Sequence, residues 1–303
     1  VPLDPQGPSE RTRSVLEDAA PRLVLSLKEY AGRVDAVPHF FLDELEGRPA
    51  RVADQPQPLS ADAPAYVIYT SGSTGKPNGV LISRGALNHF VAAARERYEF
   101  SEKDRVLQFA PLAFDASVEE IMVTLSSGGT LVLRTEGMLD SAATFLSSCA
   151  EQRISVLDLP TAYFHELARA LRQDSTLPAS VRLLIIGGEA ALPEPIARFR
   201  RYTPAHTVLL NTYGPTEATV VCTTAVLAGP GGLPLAPGAL PIGQPLPGIS
   251  VAVLDAQLGP VLRETEGQLA VLGPTLGNGY WGRPEATARR FVRLPGLRNA
   301  PAA

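Results

Sequence analysis

Short apolar runs of strand length alternate with segments of helical periodicity through the middle of this sequence. Strands are predicted at 65–70, 105–109, 130–133, 154–159, 181–187 and 207–210. Helices are predicted to follow the capping residue Ser83 and to lie at 118–125, 141–152, 162–171 and 196–202. Strands that alternate with helices predict parallel sheet covered by helices, so the expected fold class is α/β.

Both ends of the chain depart from this alternation. Before it, the sequence predicts a short helix at 15–19, a buried strand at 23–25 and a proline-rich linker at 48–64. After Val221, glycine and proline accumulate, and short strands at 249–254 and 267–272 have no clear helix between them. We therefore expect residues 1–228 to form the α/β core and residues 229–303 to form a small antiparallel or barrel-like β subdomain.

The charge balance and the cysteine content exclude several classes of function. The 303 residues carry 27 Lys and Arg against 31 Asp and Glu, a formal net charge of −4, which gives no reason to expect a nucleic-acid or anionic-membrane partner. Cys149 and Cys222 have no second ligand at metal spacing, so neither a disulfide framework nor a zinc site is expected. No apolar run approaches the roughly 18 residues that span a bilayer, and no secretion signal opens the chain. We expect a cytoplasmic protein.

A loop rich in glycine and hydroxyl side chains follows the predicted strand at 65–70. Backbone N–H groups and hydroxyls in such a loop surround phosphate oxygens well, and glycines permit the positive φ angles that this requires. The loop lacks the GxxxxGK[ST] spacing of the common nucleotide loop, so a flexible turn is the alternative. The candidate phosphate-binding residues are Thr70, Ser71, Gly72, Ser73, Thr74, Gly75 and Lys76.

Two further junctions place polar side chains at the ends of predicted strands, where ligands bind in open α/β sheets. The stretch 211–217 carries an aromatic ring at Tyr213, suited to a purine face, and a carboxylate at Glu217, suited to Mg²⁺. A plain turn is the alternative there. Asp115, if buried, needs a partner such as the ammonium group of a ligand. The alternative is that Asp115 only caps the following helix.

Together these stretches resemble the adenylation domains of nonribosomal peptide synthetases, which belong to the AMP-binding superfamily of adenylate-forming enzymes. The sequence YTSGSTGKPNG at 69–79 is similar to the phosphate loop of that family. The stretches at 114–117, 211–217 and 267–291 are similar to later motifs, and the opening residues 1–11 resemble a segment that precedes the phosphate loop. The motifs follow the order of the family and cover nearly the whole chain.

The resemblance implies a reaction, its ligands and an architecture. An amino acid and ATP, with Mg²⁺, would give an aminoacyl-adenylate and pyrophosphate. The acyl group would then pass to the thiol of a phosphopantetheinyl carrier-protein domain of the same synthetase, and a small MbtH-like protein would be a further partner. The chain would be the large N-terminal part of such an enzyme, with two subdomains in its core. It would be truncated at both ends and would lack the small C-terminal domain.

The resemblance also assigns roles to single residues. Thr216 and Glu217 would act in catalysis, with Glu217 as the Mg²⁺ ligand. The residues assigned to adenine are Gly188, Glu189, Asn211, Tyr213 and Gly214. The residues assigned to the substrate pocket, where Asp115 would pair with the α-ammonium group, are Asp115, Ala116, Glu119, Asp158, Ile185, Gly187, Thr212, Val220 and Val221.

Three of these pocket residues are acidic, which bears on the substrate. Beyond Asp115, the carboxylates of Glu119 and Asp158 would repel each other in a closed pocket unless a cation joined them. We therefore expect a basic amino acid such as lysine, ornithine or arginine, with glutamine as the alternative substrate. The alternative for Glu119 is that it is a solvated helix residue.

Two departures from the family pattern lead to further expectations. Asn78 stands where the phosphate loop of the family usually has lysine, so either Lys76 supplies the charge or phosphate binding is weaker. After Phe291 the chain lacks the family's ribose-binding aspartate and the domain that carries its catalytic lysine. We expect these residues alone to be weakly active or inactive. The alternatives are another adenylate-forming ligase, such as an acyl-CoA ligase, and a non-catalytic nucleotide-binding fragment.

Overall fold

A computed structural model of the chain describes residues 1–33, 37–45, 59–71, 76–173, 176–234, 238–261 and 264–294. Its strands are β1 (Val24–Ser26), β2 (His39–Phe41), β3 (Pro64–Thr70), β4 (Asn78–Ser83), β5 (Arg105–Gln108), β6 (Thr130–Leu133), β7 (Val156–Pro160), β8 (Leu183–Gly187), β9 (Val208–Tyr213), β10 (Thr223–Ala228), β11 (Gln244–Pro245), β12 (Ser250–Leu254), β13 (Gln268–Leu272) and β14 (Gly279–Tyr280). Its α-helices are α1 (Ser9–Ala19), α2 (Arg84–Tyr98), α3 (Ala116–Val118), α4 (Thr124–Ser126), α5 (Ala142–Glu151), α6 (Thr161–Ala170), α7 (Pro193–Tyr202) and α8 (Pro284–Arg290). Short 3-10 helices lie at Lys28–Arg33, Leu42–Glu44, Glu136–Leu139 and Thr216–Ala218.

A large mixed sheet forms the centre of the molecule, and within the described residues its strand order is β11-β10-β9-β8-β7-β5-β6. The neighbouring strands from β9 to β6 pair in parallel, whereas β10 pairs antiparallel with both β9 and β11. Both faces of this sheet are covered by apolar packing. Helices α5, α6 and α7 bury Phe145, Phe164 and Phe199 against one face, and α2 buries Phe90 against the other. Each fully buried phenylalanine stabilises the fold by about 1.5–3 kcal/mol. The α/β class predicted from the sequence is confirmed.

The predicted alternation is reproduced with shifts of one or two residues at most ends. The helix after Ser83 is α2, and the Ser83 side chain accepts a hydrogen bond from the Ala86 N–H at 3.2 Å, as an N-cap does. The predicted helix at 118–125 forms one continuous helical stretch, in which a π-helix at Glu119–Val123 separates α3 from α4. The strand predicted at 207–210 continues to Tyr213, so Asn211 and Thr212 lie on β9 itself and not in a turn after it.

The region that precedes the main alternation differs from the prediction. Helix α1 begins at Ser9, six residues before the predicted helix. The prediction missed its first turns because they are charged and lack the apolar spacing that identifies a helix. The predicted buried strand at 23–25 is found one residue later as β1, but it is not buried, since Leu25 is 62% exposed. Of the predicted linker at 48–64, residues 48–58 lie outside the described residues, and Pro64 already begins β3.

The candidate phosphate loop connects two strands rather than a strand and a helix. Strands β3 and β4 pair antiparallel, with Thr70 opposite Asn78, and β14 joins the other edge of β4. The sequence prediction missed β4 because the run Val80-Leu81-Ile82 follows the loop without a break. The β-branched residues of this apolar run, Val80 and Ile82, are completely buried.

The last third of the chain contains the predicted antiparallel pair, since β12 pairs with β13 along its whole length. Two other strands of this region pair with strands from earlier in the chain, β11 with β10 and β14 with β4. The division of the chain into an α/β core at 1–228 and a β subdomain at 229–303 therefore stays a prediction from the sequence. In the part of the chain that the structure describes, no helix has both the length and the apolar character needed to cross a membrane.

Candidate active site

The carboxyl ends of three neighbouring parallel strands bring the candidate pocket residues together. Asp158 on β7 pairs with Ile185 on β8, and Ile186 pairs with Asn211 on β9. One register position further on, Gly187 lies opposite Pro160. The edge of the sheet at which ligands bind in such folds therefore carries Asp158 and Ile185 on one face, while Asn211, which pairs with Ile186, lies on the opposite face.

Close packing at this edge explains one of the glycines. The Thr212 hydroxyl donates a hydrogen bond to the Ile186 carbonyl oxygen at 3.0 Å. A Cβ atom at Gly187 would lie 2.5 Å from that hydroxyl oxygen, which no side chain tolerates without a shift. The Thr212 side chain on β9 therefore packs directly over Gly187 on β8 and leaves no room for a side chain there.

The turn that follows β9 has a strained backbone. After the 3-10 helix Thr216–Ala218, both Thr219 and Val220 adopt positive φ angles, +59° and +68°. Such angles are costly for β-branched residues and concentrate at functional sites. The Thr219 hydroxyl donates to the Thr275 carbonyl oxygen at 2.6 Å, which holds the turn in place. Val220 and Val221 are thereby buried in the same apolar cluster as Ile185.

Asp115 is held by a side chain from this turn. It occupies the residue before α3, but its side chain makes no capping hydrogen bond, so the alternative that it only caps the helix is wrong. Instead its Oδ2 accepts a hydrogen bond of 2.6 Å from the Thr216 hydroxyl. Burial raises the pKa of Asp115, against the opposing effect of this hydrogen bond. Ala116 follows as the first residue of α3.

Glu119 and Asp158 form a buried acidic pair beside Asp115. They are 4% and 8% exposed, so the alternative that Glu119 is a solvated helix residue is wrong. The Oε1 atom of Glu119 and the Oδ2 atom of Asp158 are buried and have no hydrogen-bond partner among the described residues. Burial raises the pKa of Glu119 to about 7 against the opposing effect of the nearby Tyr98 hydroxyl, and the charge of Asp115 adds to the increase. Burial, and then the charge of Glu119, raises the pKa of Asp158 well above its usual range.

A fourth acid, Glu120, was missed by the sequence reasoning and has a different role. Its carboxylate accepts hydrogen bonds from the N–H groups of Phe109 and Ala110 at 2.9 and 3.0 Å, and from the Gln108 amide at 3.2 Å. It therefore ties the π-helix to the end of β5. Burial raises the pKa of Glu120 to about 8, against these hydrogen bonds. The available signal was a pair of adjacent glutamates inside an apolar helical stretch.

No basic side chain neutralises these acids within the described residues. The ion pairs found there involve other carboxylates, and none reaches Asp115, Glu119, Glu120 or Asp158 within 4.0 Å. Buried carboxylates without a cation are costly, and their raised pKa values express this cost. The arrangement favours a cation that arrives with a ligand.

The residues assigned to adenine surround the other side of the same strand ends. Tyr213 ends β9 with 39% of its surface exposed. Gly188 has a φ of +87° and is exposed together with Glu189, and Gly214 follows Tyr213 directly. Asn211 is buried, and its amide donates to the Pro241 carbonyl oxygen at 3.0 Å.

The residues assigned to phosphate and metal are described only in part. Gly72, Ser73, Thr74 and Gly75 lie outside the described residues. Thr70 ends β3 and its hydroxyl donates to the Asn78 carbonyl oxygen at 3.4 Å, and Ser71 and Lys76 are exposed at the two sides of the loop. Glu217 accepts a hydrogen bond from the Tyr280 hydroxyl and lies 3.8 Å from the Arg290 guanidinium.

The candidate site thus lies at the strand ends of an α/β fold, and comparison with known proteins identifies the family. The family model described as AMP-binding enzyme matches residues 1–281. The chain belongs to the AMP-binding enzyme family.

Individual relatives narrow this class. The chain is 49% identical to an isonitrile lipopeptide synthase of Streptomyces coeruleorubidus, over 100% of this chain and 20% of that protein. It superimposes with a TM-score of 0.85 on the nonribosomal peptide synthetase FmoA3, at 25% identity over 98% of this chain and 31% of that one. An artificially fused adenylation–PCP di-domain protein of Klebsiella oxytoca, NpsA-ThdA, gives a TM-score of 0.82 at 25% identity, over 98% of this chain and 58% of that one.

These relatives confirm the resemblance to nonribosomal peptide synthetase adenylation domains. The chain spans a fifth of the length of its lipopeptide synthase relative.

Proposed function

We propose that this chain is the amino-acid-activating part of a nonribosomal peptide synthetase and that its substrate has a basic side chain. A carboxylate oxygen of the amino acid attacks the α-phosphorus of ATP, and an acyl–phosphate bond forms. The bond between the α-phosphorus and the bridging oxygen breaks, and pyrophosphate leaves with its electron pair. The acyl group is then transferred to the thiol of a carrier-protein domain.

The buried acidic cluster is the observation that carries the proposal. Asp115 supplies one carboxylate for the α-ammonium group, and Glu119 with Asp158 supplies two more for a second cation on the side chain. Both of these last residues have a buried oxygen that lacks a partner among the described residues. An ammonium or guanidinium group supplies donors to those oxygens and offsets the repulsion between the carboxylates.

The link between Asp115 and Thr216 supports a shared site for amino acid and nucleotide. Thr216 holds Asp115 through its hydroxyl, and its neighbour Glu217 is the candidate metal ligand. A bound α-ammonium group and the metal-bound phosphates would therefore lie on either side of one short turn. Holding both reactants in one fixed geometry lowers the entropy cost of the attack.

The donor chemistry of Glu217 fits Mg²⁺. Its carboxylate provides a hard oxygen, and Mg²⁺ is commonly held by one or two carboxylates together with substrate phosphates. When bound, Mg²⁺ neutralises charge on the phosphate oxygens during the displacement. Tyr213 would stack on adenine, and Asn211, Gly188, Glu189 and Gly214 would border the ring. Thr70, Ser71 and Lys76, with residues 72–75, would hold the phosphates.

The relatives support the setting of this reaction. Their names describe peptide and lipopeptide synthases and an adenylation domain fused to a PCP domain, in line with a carrier-protein partner. A small MbtH-like partner and a cytoplasmic location stay predictions from the sequence.

Exchange of labelled pyrophosphate into ATP by the full-length protein tests this proposal. Lysine, ornithine and arginine should each support exchange, and at least one should exceed glutamine, leucine and glutamate by about 100-fold, because a site built for a polar group rejects analogues that lack it. A preference for leucine or glutamate would contradict the basic substrate. Exchange driven by fatty or aryl acids would identify an acyl-CoA ligase, and ATP binding without any exchange would indicate a non-catalytic fragment.

A further inference from the structure

The residues 275–281, which we call the bridging segment, connect the Glu217 turn to the hairpin that carries the candidate phosphate loop. On one side the Gly277 N–H donates to the Glu217 carbonyl oxygen at 2.8 Å. On the other side the N–H groups of Asn278 and Trp281 donate to β4, to the carbonyl oxygens of Leu81 at 2.8 Å and Gly79 at 2.7 Å. The segment is therefore hydrogen-bonded to both of these parts of the site.

The three backbones approach closely at Gly277, which leaves little room for a side chain. A Cβ atom at Gly277 would lie 2.9 Å from the Ile82 Cδ1 atom, 3.1 Å from the Leu81 carbonyl oxygen and 3.3 Å from the Glu217 carbonyl oxygen. Side-chain carbons essentially never approach a neighbour to less than 3.0 Å. The position of the bridging segment relative to Glu217 is therefore tightly determined.

Within this segment, the Tyr280 hydroxyl donates a hydrogen bond to Oε1 of Glu217. The Tyr280 backbone is fixed by its pairing with Val80 on β4 and by a 2.9 Å hydrogen bond from its N–H to the Thr287 hydroxyl. Its ring packs edge-on against Phe291, with 6.0 Å between centroids.

The other neighbour of the Glu217 carboxylate is weaker. Arg290 lies 3.8 Å from Oε1 and its side chain is 50% exposed, whereas the Glu217 side chain is 16% exposed. An exposed ion pair of that length contributes little to holding a carboxylate in one orientation. The neutral phenol therefore fixes the carboxylate while leaving its negative charge available to a cation.

We infer that Tyr280 is a positioning residue for the metal site, and that it acts by holding the Glu217 carboxylate in one orientation through Oε1. The inference rests on the proposed function, in which Glu217 binds Mg²⁺ beside the phosphates of ATP. A ligand that is already oriented loses less conformational freedom when the metal binds, so the hydroxyl of Tyr280 should strengthen the metal-dependent part of ATP binding.

Equilibrium binding of ATP to the full-length protein, measured in Mg²⁺ and again in EDTA, tests this inference without relying on turnover. The Kd for ATP in EDTA divided by the Kd in Mg²⁺ gives a ratio that reports how much the metal strengthens ATP binding. Tyr280→Phe should lower this ratio about tenfold, the typical effect of losing one hydrogen bond to a charged group. The Kd for ATP in EDTA should stay unchanged, which also shows that the variant is folded. Tyr202→Phe, which removes a hydroxyl from α7, is the matched control and should leave the ratio unchanged.

A double-variant cycle separates positioning of Glu217 from a general structural effect. If Tyr280 acts through Glu217, then Tyr280→Phe should have no further effect on the ratio in a Glu217→Gln background. An unchanged ratio in Tyr280→Phe alone, or an equal loss in both backgrounds, would overturn the inference. A wild-type protein that binds ATP equally well in Mg²⁺ and in EDTA would instead overturn the proposed function, and the inference with it.

Discussion

At the scale of single residues, the central feature is the buried carboxyl group of Glu119, whose Oε1 atom has no hydrogen-bond partner among the described residues. Glu119 has a pKa raised to about 7 by burial, above its ordinary value of 4.5. Between these values the unfolded chain has released the proton and the folded chain still holds it. The contribution of Glu119 to the stability of the ligand-free protein therefore falls as the pH rises from about 4.5 to about 7 and is constant above that range. Binding of a cation has the opposite dependence, because it requires the ionised carboxylate.

This gives a pH prediction for the substrate. The KM for a basic amino acid should fall about tenfold between pH 6 and pH 8, because a group with a pKa of about 7 changes from about one tenth to about nine tenths ionised over that range. Pyrophosphate exchange at a series of pH values measures it. Glu119→Gln should weaken binding at pH 8 and flatten the dependence. A wild-type KM that is independent of pH, or that rises with pH, would show that Glu119 does not bind the cation.

Thr216 provides a second prediction at this scale. Thr216→Val removes the hydroxyl that donates to Asp115 and leaves that carboxylate free to rotate. The KM for the amino acid should rise about tenfold, with a much smaller change in the Kd for ATP. Thr223→Val is a matched control, because the Thr223 hydroxyl is buried but has no partner among the described residues. Equal KM values for the two variants would exclude a role for Thr216 in holding Asp115.

At the scale of elements, the π-helix Glu119–Val123 distributes the acids between two tasks. The Oε1 atom of Glu119 has no hydrogen-bond partner in the part of the chain that the structure describes, while Glu120 accepts hydrogen bonds from the backbone N–H groups just after β5. Single π turns inside helices are often found at functional sites. Here the π-helix contains both adjacent glutamates, and both are buried.

The Glu120 contact predicts a specific pattern of stability. Glu120→Leu should lower the free energy of unfolding by about 3 kcal/mol, because two buried backbone N–H groups lose their acceptor. Glu120→Gln retains one acceptor oxygen and should cost less than half as much. Thermal or denaturant unfolding of the full-length protein measures both. If the two variants were equally stable, the hydrogen bonds to Phe109 and Ala110 would not stabilise the fold.

The elements could be predicted from the sequence where local pattern determines them. Strands such as 130–133 and the helix capped by Ser83 carry their own signals, in apolar runs and in a capping side chain. Strand β4 and the first turns of α1 could not be predicted, since β4 follows the loop without a break and the start of α1 has no apolar face. The π-helix also has no local signal that distinguishes it from an α-helix.

For the candidate site, the sequence indicated the residue types and their order, and the fold supplied the contacts. The acids at 115, 119 and 158 could be selected from the sequence through the family resemblance. The hydrogen bond between Thr216 and Asp115 and the contact between Tyr280 and Glu217 join residues 101 and 63 positions apart, so no local pattern reports them. Contacts of this kind depend on how strands and turns pack, which the sequence pattern does not specify.

At the scale of the whole molecule, the early and late parts of the chain are interleaved. Strand β14 pairs with β4, and the bridging segment contacts the Glu217 turn. Gly277→Ala should therefore lower the hydrogen-exchange protection of the amides of residues 277, 278 and 281 and destabilise the fold by about 1–3 kcal/mol. Gly32→Ala is the control, because a Cβ atom at Gly32 meets nothing within 4 Å. Unchanged protection in Gly277→Ala would contradict the tight packing described for this segment.

The central claim is that buried carboxylates select a cationic side chain, and one comparison tests it most directly. Lysine and norleucine share their carbon skeleton and differ by the terminal ammonium group, so the ratio of their kcat/KM values in pyrophosphate exchange isolates the contribution of that charge. In the wild-type full-length protein we predict a ratio above about 100 in favour of lysine. In the Glu119→Gln/Asp158→Asn variant the ratio should fall to about 1 or below. Equal use of lysine and norleucine by the wild type, or a ratio that survives the double substitution, would contradict the account.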